Sequence, residues 1–487
     1  MKKWLIGLAT AALGLAALPA YAAAEAPYEA YTYNYYRDSV PLPAPYLPER
    51  SVSGEDLGVG AFKSPNDIFV TEDGLAFILD SGNGRIVRAD ADWNVLGVIE
   101  GFDNAGTPDG FNNPGGIFVS DDGKVYVADT DNKRIVVLTT EGELVRMIDN
   151  PQSDILPASF QFHPVKITVD RAERVFVAAR GVYEGLMQFD ETGRFIGYVG
   201  TIGVTPSFAD KLWRRLATDA QRQRMQLFIP TEFSSVDIDH KGFVYATSVD
   251  LNSETPIRRL NPSGQDVLKR FGYNPVRGDV RFRIYGNNAG PSRLTDIKVL
   301  GSGMYTALDS YRGRLFTYND EGELLYAFGG KGTQLGVFNT PVAVERIGGR
   351  LAVLDRGRNH IVVFAPTLFG STLHRATALR YEGKDAEAVL LWEEVLRLSS
   401  NYDLAYIGIG KSLLMEKKHK EAMEYFKLGM QRDYYSIAYK RYRREVMQEH
   451  FGTIMTGLLA LILAGASLLL ARKWRKRRGW KREAGAL

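Results

Sequence analysis

The sequence predicts a mainly β protein, a six-bladed β-propeller, followed by an α-helical segment and a single apolar helix near the C-terminal end. Three observations carry this. Prolines that open similar strand-forming runs recur at positions 65, 114, 164, 230, 291 and 341, and a long recurring period is the mark of a repeat architecture. Each unit holds three short β-branched and aromatic runs, and most add a fourth after a turn (Glu141-Gly142, Thr192-Gly193, Ser263-Gly264, Glu321-Gly322). Four strands per unit and six units make a propeller. Beyond Pro366 the strand signals stop and helical periodicity replaces them.

Taken in order, residues 1–22 read as a secretory signal peptide. Lys2 and Lys3 precede an apolar run from Trp4 to Leu18 and a small-x-small site at Ala20-Tyr21-Ala22. Residues 23–61 are expected to supply the outer strand that the sixth unit lacks. The period-two aromatics of Tyr31-Thr32-Tyr33-Asn34-Tyr35 make that stretch the expected strand, pairing first with last so that no sheet edge is left open. The propeller is expected over residues 62–366.

In the second unit, Lys124–Val145 reads KVYVADTDNKRIVVLTTEGELV, and Asp129-Thr130-Asp131-Asn132 begins like a calcium loop. An EF-hand would continue with glycine at its sixth position and glutamate at its twelfth. Arg134 and Thr140 stand there, between strand-type flanks. The pattern instead returns elsewhere: Asp129 aligns with Asp80, Asp309 and Asp355, and Arg134 with Arg85 and Arg314. Residue types returned by several blades read as scaffold, an aspartate capping turn amides and pairing with an arginine. The run Pro-x-x-Ile-x-Val…Gly-x-x-Tyr-Val-Ala-Asp-x-x-Asn-x-Arg-Ile closely resembles the NHL-repeat family, from about Phe62 to Phe364. The resemblance implies the propeller fold, and the family includes lyases, lactonase-like relatives and pure binding modules.

The inner strand of a propeller blade runs down from the top face. The connections Glu100–Asn113, Gly200–Phe228 and Gly272–Gly290 and the Ser248–Ile257 loop therefore all fall on top, the face expected to bind. The longest carries an amphipathic helix whose Lys211, Trp213, Arg214, Arg215, Arg222 and Arg224 form either a lid or a partner-docking surface. The starts of the inner strands place Asp67, Gly116, Lys166, Ser235, Asp296 and Ala343 around a central mouth, with Asn66, Glu232 and Arg293 nearby. This set reads as a polar-ligand site, as a site for calcium or another divalent cation in the channel, or as a solvated rim.

NHL-type lyases imply several histidines converging on zinc. His163, His240, His360, His374, His419 and His450 are spread over strands, turns and the helical segment and are not expected to converge. Lactonases of similar fold imply a glutamate at the opening of the first blade, where this chain has Ser64-Pro65-Asn66-Asp67. Neither a Gly-x-Ser-x-Gly elbow nor a phosphate loop occurs. The expectation is a binding or scaffold protein for a protein or glycan ligand, accessory to a membrane transport or surface-sensing complex. Its rival is a metal-dependent hydrolase or lyase working through Asn66, Asp67, Glu232 and Asp296.

In residues 367–450, Lys384, Glu387, Ala388 and Trp392 return as Lys418, Glu421, Ala422 and Phe426, each 34 positions later. This resembles the tetratricopeptide family over about Ser371–Arg432 and implies two helical hairpins, as spacer or as peptide groove. Tyr435, Ala438, Tyr442 and Val446 form one face of a following helix expected to cap them. Residues 453–471 carry no charge and are ~28 Å long as a helix, enough to span a bilayer. Eight bases follow in residues 472–487, against four (Lys440, Arg441, Arg443, Arg444) just before. The positive-inside rule then puts the tail in the cytoplasm and the propeller outside. Combinations of propeller, repeat and anchor of this kind occur in Gram-positive bacteria. Subtracting the leader's +2 and the tail's +7 from the formal charge of +3 leaves −6, so nucleic acid is not an expected partner. The chain has no cysteine, which excludes disulfides and thiolate metal sites.

Overall fold

The computed structural model describes residues 26–201, 232–249, 255–286 and 289–483. Six antiparallel sheets stand around one axis, and the inner strands of neighbouring sheets touch in sequence order, the sixth touching the first. Blade 1 runs Asp67–Val70, Ala76–Asp80, Arg85–Ala89 and Val95–Ile99. Blade 2 runs Gly116–Val119, Val125–Asp129, Arg134–Leu138 and Leu144–Ile148, and blade 3 runs Pro164–Val169, Val175–Ala179, Leu186–Phe189 and Phe195–Val199. Second strands such as Val125–Asp129 are buried end to end. Neighbouring blades cover both of their faces, so the sequence there is a continuous apolar run rather than an alternation.

Blade 4 has three strands, Phe233–Ile238, Val244–Ser248 and Ile257–Leu260. The turn at Ser263-Gly264, expected to lead into a fourth, is followed only by a bridge between Leu260 and Asp266. The Asp266 carboxylate accepts from the Arg259 and Leu268 amides at 3.2 and 3.0 Å, a side-chain bond competing with the ladder.

Blade 5 runs Leu294–Gly301, Met304–Asp309, Arg314–Tyr318 and Leu324–Gly329; blade 6 runs Pro341–Ile347, Arg350–Asp355 and His360–Pro366. The strand that completes blade 6 is Tyr46–Ser53, paired from Tyr46↔Pro366 to Ser53↔His360 with one register shift between Val363 and Phe364. The Tyr31–Tyr35 stretch expected in that role goes elsewhere: Ala30–Tyr33 forms a hairpin with Ser39–Leu42 on the outer edge of blade 5, Tyr31 opposite Ala327. Chemistry beyond the alternation decides this. The hydroxyls of Tyr31 and Tyr33 both bond the buried Asp279 carboxylate, which Arg314 also meets at 2.7 Å.

The repeated aspartates bind backbone amides and arginines. Asp80 accepts the Lys63 amide at 2.7 Å and pairs with Arg85 at 2.8 Å; Asp129 accepts the Asn112 amide at 2.8 Å and pairs with Arg134 at 2.9 Å. Asp355 takes the Asn339 and Thr340 amides, both at 2.7 Å. Each ties the loop entering a blade to that blade's second strand. Arg314 departs from the pattern, since it serves Asp279 while Asp309 pairs with Arg312 at 3.3 Å.

Six helices follow: α1 Leu368–Tyr381, α2 Asp385–Leu398, α3 Asp403–Met415, α4 His419–Leu428, α5 Arg432–Glu449 and α6 Phe451–Glu483. Ala388, Trp392, Ala422 and Phe426 are buried between them. Gly408 allows α3 to meet α2, because a Cβ there would lie 2.6 Å from the Trp392 indole nitrogen. The face of α5 that covers the hairpins is set by Ala438, which is buried, and by Tyr434, stacked on Phe426 at 5.5 Å. Tyr435, expected on that face, is exposed, one residue being a 100° error on a helix.

α1–α3 are docked on the propeller. Phe369, Leu373, Trp392 and Tyr402 share one apolar core with Tyr326 and Phe328 of blade 5. Tyr402 donates to the Leu325 carbonyl at 2.8 Å, Glu321 pairs with Arg380 and Lys411 at 3.1 and 2.5 Å, and Lys241 meets the Tyr381 hydroxyl at 2.6 Å. Glu321 and Lys241 lie in turns between third and fourth or first and second strands. These belong to the bottom face, so the helices cover the side opposite the expected binding face. α6 has an exposed apolar stretch, Phe451–Arg475, long enough to cross a membrane.

Candidate functional site

The inner strands project two rings of side chains into the channel. The upper ring is Asp67, Gly116, Lys166, Ser235, Asp296 and Ala343. Lys166 Nζ lies 2.5 Å from Asp67 Oδ1 and 3.2 Å from Asp296 Oδ1, and Ser235 Oγ donates to the same Asp296 oxygen at 2.6 Å. The other carboxylate oxygens accept amides of the adjoining blades, Ile117 at 2.9 Å and Val344 at 2.7 Å. Gly116 makes room for this bracing, because a Cβ there would sit 2.4 Å from the Val165 carbonyl and 3.3 Å from Asp67. Burial pushes the Asp67 carboxyl up to about 6 against the pull of Lys166. Burial would lower the Lys166 ammonium, but Asp296 and Asp67 outweigh it and the group is held protonated.

Two residues along each strand, about 7 Å further down, lies a second ring that sequence reasoning missed: Phe69, Phe118, Thr168, Asp237, Lys298 and Glu345. Lys298 pairs with Glu345 at 2.9 Å and Asp237 at 3.6 Å, and stands 5.0 Å from the Phe69 ring. Burial raises both carboxyls, Glu345 to about 8. Its signal was present, since the side-chain period of two along a strand repeats the channel-facing position at every second residue.

The remaining mouth residues separate. Asn66 stays at the rim, donating to the Pro114 carbonyl at 3.1 Å and accepting from Arg356 at 3.1 Å. Arg293 lies on the Tyr311 ring at 4.4 Å. Glu232 turns to blade 3 and accepts the Gly181 amide at 2.8 Å. Two residues not singled out from the sequence, Arg180 and Arg356, flank the opening. They follow second strands at the position where blades 1 and 2 carry Ser81 and Thr130, whose hydroxyls bond the Pro114 and Pro164 carbonyls at 2.7 and 2.6 Å. Arginine replacing a small hydroxyl at a repeat position was the available signal. The mouth is a cavity of about 390 Å³ lined by Ser64, Asn66, Asn113, Arg180, Ser234, Thr295 and Arg356, with Lys166 among its walls.

The channel carboxylates are engaged by lysines and amides, which leaves the rim cationic. A calcium or other divalent cation in the channel would have to displace an ammonium from Asp67 and Asp296. Among the described residues, no three His, Asp or Glu are placed to hold a metal ion. His163 meets the Thr130 carbonyl at 3.2 Å and His374 the Tyr326 hydroxyl at 2.5 Å, on opposite sides of the propeller. The basic helix face of Lys211, Trp213, Arg214, Arg215, Arg222 and Arg224 lies outside the described residues.

The family model for the NHL repeat matches residues 111–138, which contain the first three strands of blade 2. No curated protein sequence matches the chain. Among solved structures, the chain is similar to a virginiamycin B lyase from Staphylococcus aureus at 13% identity and TM-score 0.36, over 63% of this chain and 86% of that one. It is also similar to a protein of unknown function from Bacteroides thetaiotaomicron at 13% identity and TM-score 0.42, over 69% and 76% of the two chains. A third is the extracellular domain of a putative one component system from the same organism, at 12% identity and TM-score 0.33, over 61% and 32%. Likeness at this level bears on neither ligand nor activity.

Proposed function

We propose that this chain is a membrane-anchored, extracytoplasmic binding module. Its mouth takes an anionic ligand, in the first place an acidic sugar of a glycan, and holds it for a membrane transport or sensing complex. One observation carries the reading: Arg180 and Arg356 have no carboxylate within ion-pair distance among the described residues, and they flank an opening whose buried charges are already paired. A guanidinium fork matches carboxylate, sulfate or phosphate. The hydroxyl and amide side chains of the same cavity suit a hydroxylated ligand, and about 390 Å³ suits a small one. Tyr183 and Tyr285 are exposed on loops of this face. The docked helices occupy the opposite face, so a span by α6 would hold the mouth away from the helical docking side.

The rival reading, a metal-dependent hydrolase or lyase, asks Asp67, Asp296 and Glu232 for ligands they already give to Lys166 and to the Gly181 amide. The test is calorimetric titration of the full-length protein with uronic-acid and matched neutral oligosaccharides. Arg180→Gln with Arg356→Gln is expected to weaken acidic-sugar binding by roughly a hundredfold or more, since each of the two residues lost removes a charge-assisted hydrogen bond of about 1.5–3 kcal/mol. Equal affinity for acidic and neutral sugars, or an unaffected double variant, would sink the idea.

A further inference from the structure

We propose a second site, distinct from the propeller mouth: the bend between α5 and α6 is a seat for the phosphate of an anionic membrane phospholipid. Lys440, Arg443, Arg444, Met447, Gln448 and Phe451 line a cavity of about 470 Å³ there. Their spacing, i, i+3, i+4, i+7, i+8 and i+11, puts all six on one face of a helix. The axis is nearly continuous, since the His450 amide bonds the Val446 carbonyl at 3.1 Å and the Ile454 amide bonds the His450 carbonyl at 2.9 Å.

Some cations of the neighbouring helices are tied to carboxylates, while among the described residues Arg375, Lys420 and Lys427 are not. Arg380, Lys384, Arg397, Lys411 and Lys418 each pair with a carboxylate. Lys440, Arg443 and Arg444 pair with none among the described residues. Lys440 and Arg444 are also like charges four apart, an arrangement that weakens a helix and that an anion lying between them would relieve.

The occupant follows from position. Phe451 opens the apolar stretch of α6, and Met447 and Phe451 are both exposed. With α6 in a bilayer, the cations sit about two to three helical turns, roughly 10–17 Å, above its apolar start, so that Arg443 and Arg444 come to headgroup depth by extending toward the membrane. Their stems can run along apolar surface while the charges reach phosphate.

The experiment reconstitutes the full-length protein in nanodiscs of phosphatidylcholine with a minor fraction of phosphatidylglycerol. It then exchanges the protein into detergent and quantifies retained lipid by mass spectrometry. Wild type is expected to retain phosphatidylglycerol over phosphatidylcholine, and K440Q/R443Q/R444Q to lose that preference by about tenfold. Arg441→Gln, a cation outside the stripe, is expected to keep it. An unchanged thermal midpoint of the triple variant shows that it folds. Three outcomes would overturn the proposal: full retention by the triple variant, an equal loss with Arg441→Gln, or displacement of the lipid by millimolar inorganic phosphate, which would assign the site to the free ion.

Discussion

Lys166 stands between two buried carboxylates, with Asp67 on one side and Asp296 on the other, and each carboxylate also braces the amide of an adjoining blade. The three side chains therefore link blades 1, 2, 3, 5 and 6 through one ammonium. Removing that charge strands two carboxylates in the channel. Lys166→Met is expected to cost about 3–5 kcal/mol, the usual penalty for breaking a buried pair from one side. Adding Asp67→Asn and Asp296→Asn should recover much of it, because neither amide needs a countercharge. Urea unfolding with an unchanged m-value checks both; a single variant as stable as wild type would mean that the cluster is solvated and the channel open to water. Of these residues the upper ring was visible in the sequence as strand-opening positions. Arg180 and Arg356 were passed over, although each stands where blades 1 and 2 carry a small hydroxyl, because a repeat alignment draws attention to the residues that recur rather than to those that depart.

The fold depends on a strand that the propeller region itself does not contain. Tyr46–Ser53 pairs along the whole of His360–Pro366, and the chain just before it is held by Thr367, whose hydroxyl bonds the Ala44 carbonyl at 2.6 Å. The hairpin of Ala30–Tyr33 with Ser39–Leu42 shares one register pair with blade 5, Tyr31↔Ala327, and is held besides by the Thr32 hydroxyl on the Leu324 carbonyl at 3.0 Å and by Tyr31 and Tyr33 on Asp279. Cutting the two elements away in turn should therefore have unequal effects. A chain lacking the hairpin is expected to keep a closed ring. A chain lacking Tyr46–Ser53 as well should lose roughly 4–10 kcal/mol, from about seven backbone hydrogen bonds at ~0.5–1.5 kcal/mol each, and expose an edge that associates with other copies. Hydrogen exchange at Ile361–Ala365 reads this directly: protection that survives the longer deletion would show that the ring closes without the strand.

Propeller and helices share one core, and His374 lies within that contact. It packs, half-buried, against Tyr46 and Tyr326, and desolvation, with Arg346 adding to it, pushes its imidazole down to about 4 from 6.5. In the unfolded chain it takes a proton near pH 6.5, which the folded state refuses until about pH 4. The unfolded state therefore binds more protons across that window, and stability falls as pH is lowered through it, by on the order of 3 kcal/mol in full. Asp67 and Glu345, raised rather than lowered, act with the opposite sign between pH 4 and 8. The informative measurement is thus the difference between wild type and His374→Gln, in which the channel groups cancel. That difference should slope between pH 6.5 and 4 and be flat above 7; a flat difference throughout would place His374 in contact with water.

The repeat period, the strand alternation, the 34-residue helical spacing and the charge-free stretch near the C-terminal end were all readable along the chain, because each is a local pattern that any burying surface imposes at a fixed interval. That is why the six-bladed propeller and the position of the helices followed from sequence. Tertiary structure decided the partners. Tyr31 and Tyr33 alternate as a closing strand should, yet a buried carboxylate 246 or more residues away draws them to blade 5. Asp67, Lys166 and Asp296 are separated by 99 and 130 residues and form one cluster. Pairing across such distances is set by which polar groups would otherwise be left unsatisfied on burial, and periodicity carries no record of that.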